Sequence, residues 1–225
     1  AAFSSMLQLI LVLCALNAAL GAMRNVMRPL RSVWRVKPRV STLVVLGSGG
    51  HTSEMMAMMS QLSQDKYAPR SYVVARTDSM SERKVRAHED AARGVVGDGD
   101  ASAPPPYVVL RVGRAREVGQ SWLSSAWTTA LAFVDAMRIV FSVKPDVIMC
   151  NGPGTCVPVV FAGLVMRAFG REAPALVFVE SACRTRRLSL TGKIFYHLRV
   201  VDTMCVMWES LIEKYPRCTF VGRVM

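Results

Sequence analysis

Residues 42–52 read TLVVLGSGGHT, and this stretch decides the fold class. Its first part, Thr42–Leu46, is short, apolar and rich in valine, which is typical of a strand buried on both faces of a parallel sheet. Glycines follow at Gly47, Gly49 and Gly50, and a helical pattern begins at Ser53. Glycine lets the backbone approach a ligand closely, and the free N–H groups that begin a helix favour an anion. The stretch therefore predicts a strand, a turn suited to phosphate, and a helix.

The same alternation continues along the chain. Further strand candidates are Ser71–Ala75, Tyr107–Leu110, Asp146–Cys150, Leu176–Val179 and Thr203–Met207. Helical patterns cover Ser53–Gln64, Ser79–Ala92, Ser121–Phe141, Thr155–Phe169, Leu190–Val200 and Glu209–Lys214. The Gly/Pro-rich stretch Gly94–Pro106 predicts a surface loop. Strands that alternate with helices predict an α/β domain with one Rossmann-like, doubly wound parallel sheet.

The N-terminus predicts a membrane anchor. Phe3–Ala22 carries no charge, and a transmembrane helix needs about 20 mostly apolar residues. A cleaved signal peptide is the competing interpretation, because small residues lie near the end of the run. Six basic residues and no acid follow between Arg24 and Arg39, which the positive-inside rule places in the cytosol. We predict a transmembrane anchor over residues 1–23, a basic juxtamembrane linker over 24–40 and the α/β domain over 41–225.

Composition narrows the classes of partner. The net charge of +12, from 28 Lys+Arg and 16 Asp+Glu in 225 residues, favours anionic partners. The basic cluster directly follows an apolar run and holds a single aromatic residue, Trp34, so it indicates a membrane and not nucleic acid. Six scattered cysteines form no CxxC pair and no zinc spacing, which predicts buried, reduced thiols and no metal site. For Trp122–Phe141, a buried or membrane-surface helix is favoured over a second span.

Three unusual loops follow predicted strands. They are Gly47–Thr52, Asn151–Thr155 and Glu180–Arg184, and in a parallel sheet such loops share one rim, where ligands bind. The first is neither a dinucleotide fingerprint, because Thr52 replaces the third glycine, nor a P-loop, because no lysine follows it. Arg111, Arg114 and Arg116 follow the third strand and are expected near the same rim.

Each candidate side chain has a functional and a structural interpretation. His51 can donate to a diphosphate oxygen or accept a proton, or it can cap or pack against the helix. Thr155 can cap the helix that follows it. Glu180, next to Arg184, can recognise a hydroxyl or act as a base, or it can form a surface ion pair. The methionines of the first helix, Met55, Met56, Met58 and Met59, predict a core face or an adaptable surface for acyl chains.

Several motifs then occur in a fixed order along the chain. They are LGSGGHTSEM (Leu46–Met55), VGQS (Val118–Ser121), KPDVIMCNGPGTCVP (Lys144–Pro158), VESACR (Val179–Arg184), LSLTGK (Leu188–Lys193) and YPRCTFVGRV (Tyr215–Val224). In this order they resemble the membrane-anchor subunit of the eukaryotic UDP-N-acetylglucosamine transferase of asparagine-linked glycosylation. The chain also looks similar to the N-terminal half of the bacterial peptidoglycan N-acetylglucosaminyltransferase, whose glycine loop likewise precedes a histidine.

The resemblance implies the acceptor-side half of a GT-B glycosyltransferase. A separate soluble subunit would bind UDP-N-acetylglucosamine, and we expect no second Rossmann domain in this chain. The candidate catalytic residues are His51 and Glu180. The candidate substrate-binding residues, around the diphosphate, the cleft and the acceptor sugar, are Gly47, Ser48, Gly49, Gly50, Thr52, Asn151, Gly152, Gly154, Thr155 and Arg184.

The expected activity is addition of the second N-acetylglucosamine to N-acetylglucosaminyl-diphosphodolichol, by inverting transfer, at the cytosolic face of the endoplasmic reticulum membrane. The resemblance implies no cofactor and no obligatory metal. Expected partners are the soluble subunit, the lipid acceptor, the membrane and other early dolichol-pathway glycosyltransferases. A pure membrane scaffold without catalytic residues is the alternative. A self-sufficient nucleotide-binding enzyme is disfavoured by the length of the chain and by the broken fingerprint.

Overall fold

The computed structural model describes residues 37–96, 107–113, 122–152, 155–169 and 173–223. The predicted anchor, residues 24–36 of the linker, residues 97–106 of the predicted loop, Arg114, Arg116 and Gly154 lie outside the described residues.

Seven strands alternate with six helices in the described parts of the chain. The strands are β1 (Thr42–Val45), β2 (Arg70–Ala75), β3 (Tyr107–Val112), β4 (Val147–Asn151), β5 (Ala175–Val179), β6 (Thr203–Val206) and β7 (Thr219–Phe220). The helices are α1 (Gly50–Met59), α2 (Ser79–Val96), α3 (Trp122–Val143), α4 (Cys156–Ala168), α5 (Leu190–Leu198) and α6 (Ser210–Lys214). The strands form one parallel sheet in the order β3-β2-β1-β4-β5-β6-β7. The predicted Rossmann-like α/β fold is confirmed.

The sheet is buried on both faces because its strands are apolar at successive positions. In β1, Leu43 and Val45 face a core shared with α3, α4 and α5, whereas Val44 faces a second core shared with α1. Met55, Met56 and Met59 of α1 are buried in that second core, so the methionines serve chiefly as core residues.

The long apolar helix α3 packs against the domain. Ala132, Ala136 and Val140 recur every four residues and are fully buried, so this stripe faces the sheet. None of the helices in the described residues is long and apolar enough to cross a membrane. The described cysteines are unpaired thiols, and Cys183 is the exposed one.

A buried ion pair joins β2 to α2. Arg70 Nη1 lies 3.1 Å from Glu89 Oε1, and both side chains are nearly inaccessible to solvent. The hydroxyl of Tyr72 donates to the same carboxylate oxygen, and burial, together with this contact, raises the pKa of Tyr72 far above its ordinary value. The two charges compensate each other inside the domain.

Several predicted boundaries were wrong. Strand β3 runs to Val112, so Arg111 lies within the strand, next to its carboxyl end, and pairs with Glu82 at 2.7 Å instead of belonging to the loop that follows. Helix α1 ends at Met59, and α2 continues over the first three residues of the predicted Gly94–Pro106 loop. Strand β7 was not predicted, because its two exposed residues have no detectable pattern.

Candidate functional site

The three glycine- and polar-rich loops meet at one rim of the sheet. They follow β1, β4 and β5, which are neighbours, so the predicted convergence is confirmed. The strand order runs in opposite directions from β1, and a crevice opens beyond the carboxyl ends of strands at such a switch point. The loops after β1 and β4 therefore flank the place where α/β sheets bind ligands.

The glycine loop presents open backbone at the start of α1. Gly49 precedes the helix with φ of 69°, a left-handed conformation that favours glycine. Ser48, Gly49 and Gly50 are exposed, and apart from chain neighbours and the backbone of α1 itself no described atom lies within 4 Å of a Cβ built on Gly49 or Gly50. The first turn of α1 contains no acidic residue. Its N–H groups are thus accessible to an anionic group.

Two threonines of the predicted site lie inside the domain. The Thr52 hydroxyl donates to Gly47 O and lies 2.6 Å from Ser81 Oγ, so it ties the glycine loop to α2 from within. Thr155 is buried at the start of α4 and makes no capping hydrogen bond, so the predicted cap is wrong. Neither side chain faces the open rim.

His51 is seated between two glycines. A Cβ on Gly47 would lie 2.9 Å from His51 Cβ, and one on Gly152 would lie 3.1 Å from His51 Cγ. Gly152 has φ of 96°, which also favours glycine. The His51 side chain remains 30% exposed. The imidazole can therefore reach the rim because Gly47 and Gly152 have no side chains.

A chain of hydrogen bonds joins the three loops. His51 Nδ1 lies 2.8 Å from Asn151 Oδ1, and Asn151 Nδ2 donates to Glu54 Oε2 at 3.0 Å. The other oxygen of Glu54 accepts from Ser181 Oγ at 2.7 Å and from the Ala182 N–H at 3.2 Å. Glu54 thus bonds to the last residue of β4 and to residues that follow β5.

Glu54 was missed by the sequence reasoning. Its side chain is 4% exposed, and a buried carboxylate is stable only when hydrogen-bond donors surround it. Two signals could have found it. Glu54 is the one acidic residue of the apolar helix α1, and it lies three positions after His51, which places both on one helix face.

Glu180 is not brought to this cluster. Leu176 and Phe178 face the core under α4 and α5, and alternation along β5 sends Glu180 to that same side. Its carboxylate accepts the backbone N–H of Ser181 at 3.1 Å and of Ser189 at 2.8 Å, and it is 2% exposed. Glu180 therefore lies under the start of α5, away from His51.

Arg184 lies in the turn after β5. It is exposed, and its backbone N–H donates to Ser181 O at 2.9 Å. In the described parts of the chain, no group of three or more His, Cys, Asp or Glu residues is arranged to hold a metal ion.

Comparison with known proteins decides the family. The family model described as "Oligosaccharide biosynthesis protein Alg14 like" matches residues 42–224. The chain belongs to the Alg14 family. It is 42% identical over 192 residues to the UDP-N-acetylglucosamine transferase subunit ALG14 of Mus musculus, covering 84% of this chain and 86% of that protein. The Homo sapiens subunit is 43% identical over 194 residues, with the same coverage of both chains.

Solved structures agree with the fold. MurG of Acinetobacter baumannii superposes with a TM-score of 0.54 at 17% identity, covering 83% of this chain and 45% of that one. The UDP-N-acetylglucosamine 2-epimerase of Rickettsia bellii gives 0.51 at 14% identity, covering 83% and 46%. The Alg14-family chain thus matches less than half of each, and at these identities the likeness shows the fold alone.

Proposed function

We propose that this chain is the acceptor-side subunit of a two-chain UDP-N-acetylglucosamine transferase that extends N-acetylglucosaminyl-diphosphodolichol by one N-acetylglucosamine. The observation that carries the proposal is the partly exposed His51, packed between two glycines and beside open backbone N–H groups, in a chain of the Alg14 family. The relatives' name, a transferase subunit, supports a second chain that completes the enzyme.

The glycine loop suits the diphosphate of the substrates. Exposed N–H groups at Gly49 and Gly50 and the positive end of α1 attract phosphate oxygens. Arg184, exposed after β5, adds a cation on the same rim. Ser48 and Gly152 shape the approach to His51. The nucleotide sugar would bind mainly to the soluble partner subunit, with no cofactor.

His51 would act as the general base. The acceptor hydroxyl oxygen forms a bond to the anomeric carbon of UDP-N-acetylglucosamine, while the bond from that carbon to the diphosphate breaks and UDP leaves. His51 Nε2 takes the hydroxyl proton, and attack opposite the leaving group inverts the anomeric centre. Glu180 is the less suitable base, because it is buried under the start of α5 and two backbone N–H groups stabilise its ionised form.

The N-terminal residues 1–23 would anchor the domain, residues 41–225, to the cytosolic face of the endoplasmic reticulum membrane. The uncharged run and the basic linker support this orientation. Other early dolichol-pathway glycosyltransferases are candidate neighbours in the same membrane. Extraction of microsomes at alkaline pH should leave the chain in the membrane pellet, and its release into the supernatant would refute the anchor.

Transfer of radiolabelled N-acetylglucosamine from UDP to a short-chain lipid-diphosphate-N-acetylglucosamine tests the division of labour. We expect product when this chain and its soluble partner are combined, and none with either alone. Transfer by this chain alone would refute the proposal, because it would require a complete nucleotide site within this chain.

A further inference from the structure

We infer that Glu54 is a positioning residue for this transfer, which, through Asn151, holds the His51 imidazole in the tautomer that leaves Nε2 unprotonated. The catalytic consequence rests on the proposed function, whereas the tautomer follows from hydrogen-bond geometry alone. Glu54, to which the sequence pattern gave no role, would thereby influence the transfer of the acceptor proton.

Three hydrogen-bond donors surround Glu54. Its buried carboxylate is approached by Asn151 Nδ2, by the Ala182 N–H and by the Ser181 hydroxyl. Ser181 Oγ itself accepts the Cys183 N–H at 3.3 Å, so its own hydrogen is free to point at Glu54. All three neighbours are therefore donors, which is the environment that an ionised carboxylate requires.

Glu54 determines the orientation of the Asn151 side-chain amide. A carboxylate oxygen only accepts, so the Asn151 atom that lies 3.0 Å from Glu54 Oε2 must be the amide nitrogen. The reversed amide would set two acceptors against each other at a site where Asn151 is fully buried. Asn151 Oδ1 consequently faces His51.

Asn151 in turn determines which ring nitrogen of His51 carries the hydrogen. Asn151 Oδ1 only accepts, so His51 Nδ1, at 2.8 Å, must carry the hydrogen. A neutral imidazole carries one N–H, which leaves the lone pair on Nε2, on the opposite side of the ring. Glu54 Oε2 also lies 3.6 Å from Nδ1, a favourable position for a negative charge once Nε2 has taken a proton.

A purely structural Glu54, which only ties α1 to β4 and β5, would be indifferent to the direction of these hydrogen bonds. Glu54→Gln separates the two roles because it keeps the shape. The amide oxygen of the new side chain can still accept from Ser181 and Ala182. Its NH₂ group would then face Asn151, whose amide must turn round and present Nδ2 to His51. The His51 proton would move from Nδ1 to Nε2.

The test is ¹⁵N NMR of the full chain in lipid nanodiscs, with ring-¹⁵N-labelled histidine, at a pH well above the ordinary imidazole titration. The chain has 3 histidines, so His51→Gln identifies the His51 signals by their loss. We expect a pyrrole-type Nδ1 and a pyridine-type Nε2 in the native chain, and the reverse in Glu54→Gln. Glu180→Gln is the matched control, because Glu180 is also a buried carboxylate after β5 but bonds to Ser189, directly before α5, and it should leave the His51 spectrum unchanged.

A pyridine-type Nδ1 in the native chain would overturn the inference, and this spectrum decides even if Glu54→Gln fails to fold. An unchanged His51 spectrum in a folded Glu54→Gln chain would also overturn it.

In the assembled complex, Glu54→Gln should lower kcat about 10- to 100-fold and leave the KM for the acceptor unchanged, because the competent tautomer then leaves a buried polar group unpaired. Reversal of the tautomer without any loss of kcat would overturn the catalytic role of Glu54. If His51→Gln itself retained turnover, the proposed base would fail while the tautomer assignment would stand, so the two failures are distinguishable.

Discussion

Adding one methyl group at Gly47 should displace the candidate base. A Cβ at this position would lie 2.9 Å from His51 Cβ and 3.0 Å from Asn151 O. Neither atom can move away by rotation of a side chain, because one is the Cβ of a residue in helix α1 and the other belongs to the backbone of β4. In Gly47→Ala the loops must therefore separate, and the imidazole must move with them.

The expected magnitude follows from that geometry. Overpacking of a close contact lowers the free energy of unfolding by about 1–3 kcal/mol. A misplacement of about 1 Å at a reacting group costs about 100-fold in rate. The methyl group requires a shift of several tenths of an ångström, so we expect turnover of the assembled complex to fall about 10- to 100-fold.

Gly163→Ala is the matched control. A Cβ there would lie 2.8 Å from Leu176 Cδ2 and 3.0 Å from Ile148 Cδ1, an equally short contact in the core beneath α4, but one made with the ends of two flexible side chains that can rotate away. Transfer kinetics and denaturant unfolding should be measured for both variants. Gly163→Ala should change stability by about 1–3 kcal/mol at most and leave turnover intact. Native turnover in Gly47→Ala, or an equal loss in Gly163→Ala, would refute the reasoning.

Other predictions concern stability and thiol chemistry. Glu89→Ala leaves the buried Arg70 guanidinium unpaired, so the free energy of unfolding should fall by about 3–5 kcal/mol in denaturant titration, and a loss below 1 kcal/mol would contradict this. Exposed Cys183 should be alkylated in the folded chain while Cys205 and Cys218 react only after unfolding, as mass spectrometry would show. Burial raises the pKa of Cys205 and of Cys218 from 9.0 to about 11. As the pH rises, the unfolded chain therefore loses these protons before the folded chain does. The contribution of the two thiols to the free energy of unfolding should be complete below pH 9.0 and decline as the pH approaches 11. A free energy of unfolding that stays constant over this range would contradict the burial of the two thiols.

Much of the fold was predictable because its signals are local. Each of the six predicted strands is a short apolar run, and the turn signals between runs separate them from helices. Parallel order then places the loops after β1, β4 and β5 at one rim without any knowledge of distant contacts. Strand β7 escaped prediction because two exposed residues, Thr219–Phe220, are paired only through the edge of β6.

The site was predictable in part. The glycines around His51 and its partner Asn151 were predicted because their residue types are informative, but Glu54, which bonds to Asn151, was not. Glu54 reaches Asn151 across 97 positions and Ser181 across 127, and no local pattern encodes such a contact. The face of the sheet on which Glu180 lies, by contrast, could have been predicted from the sequence. Side chains alternate along β5, and Glu180 is an even number of positions after Leu176 and Phe178, so it lies on the same face as they do.

Turnover by the assembled complex that carries His51→Gln tests the central claim most directly. Assembly with the soluble partner and single-turnover transfer should be measured on the same sample, so that loss of the complex is not mistaken for loss of chemistry. We predict native assembly and transfer reduced at least about 100-fold, the scale of general base catalysis. Native assembly with native transfer would contradict the account, and this chain would then be a scaffold for its partner.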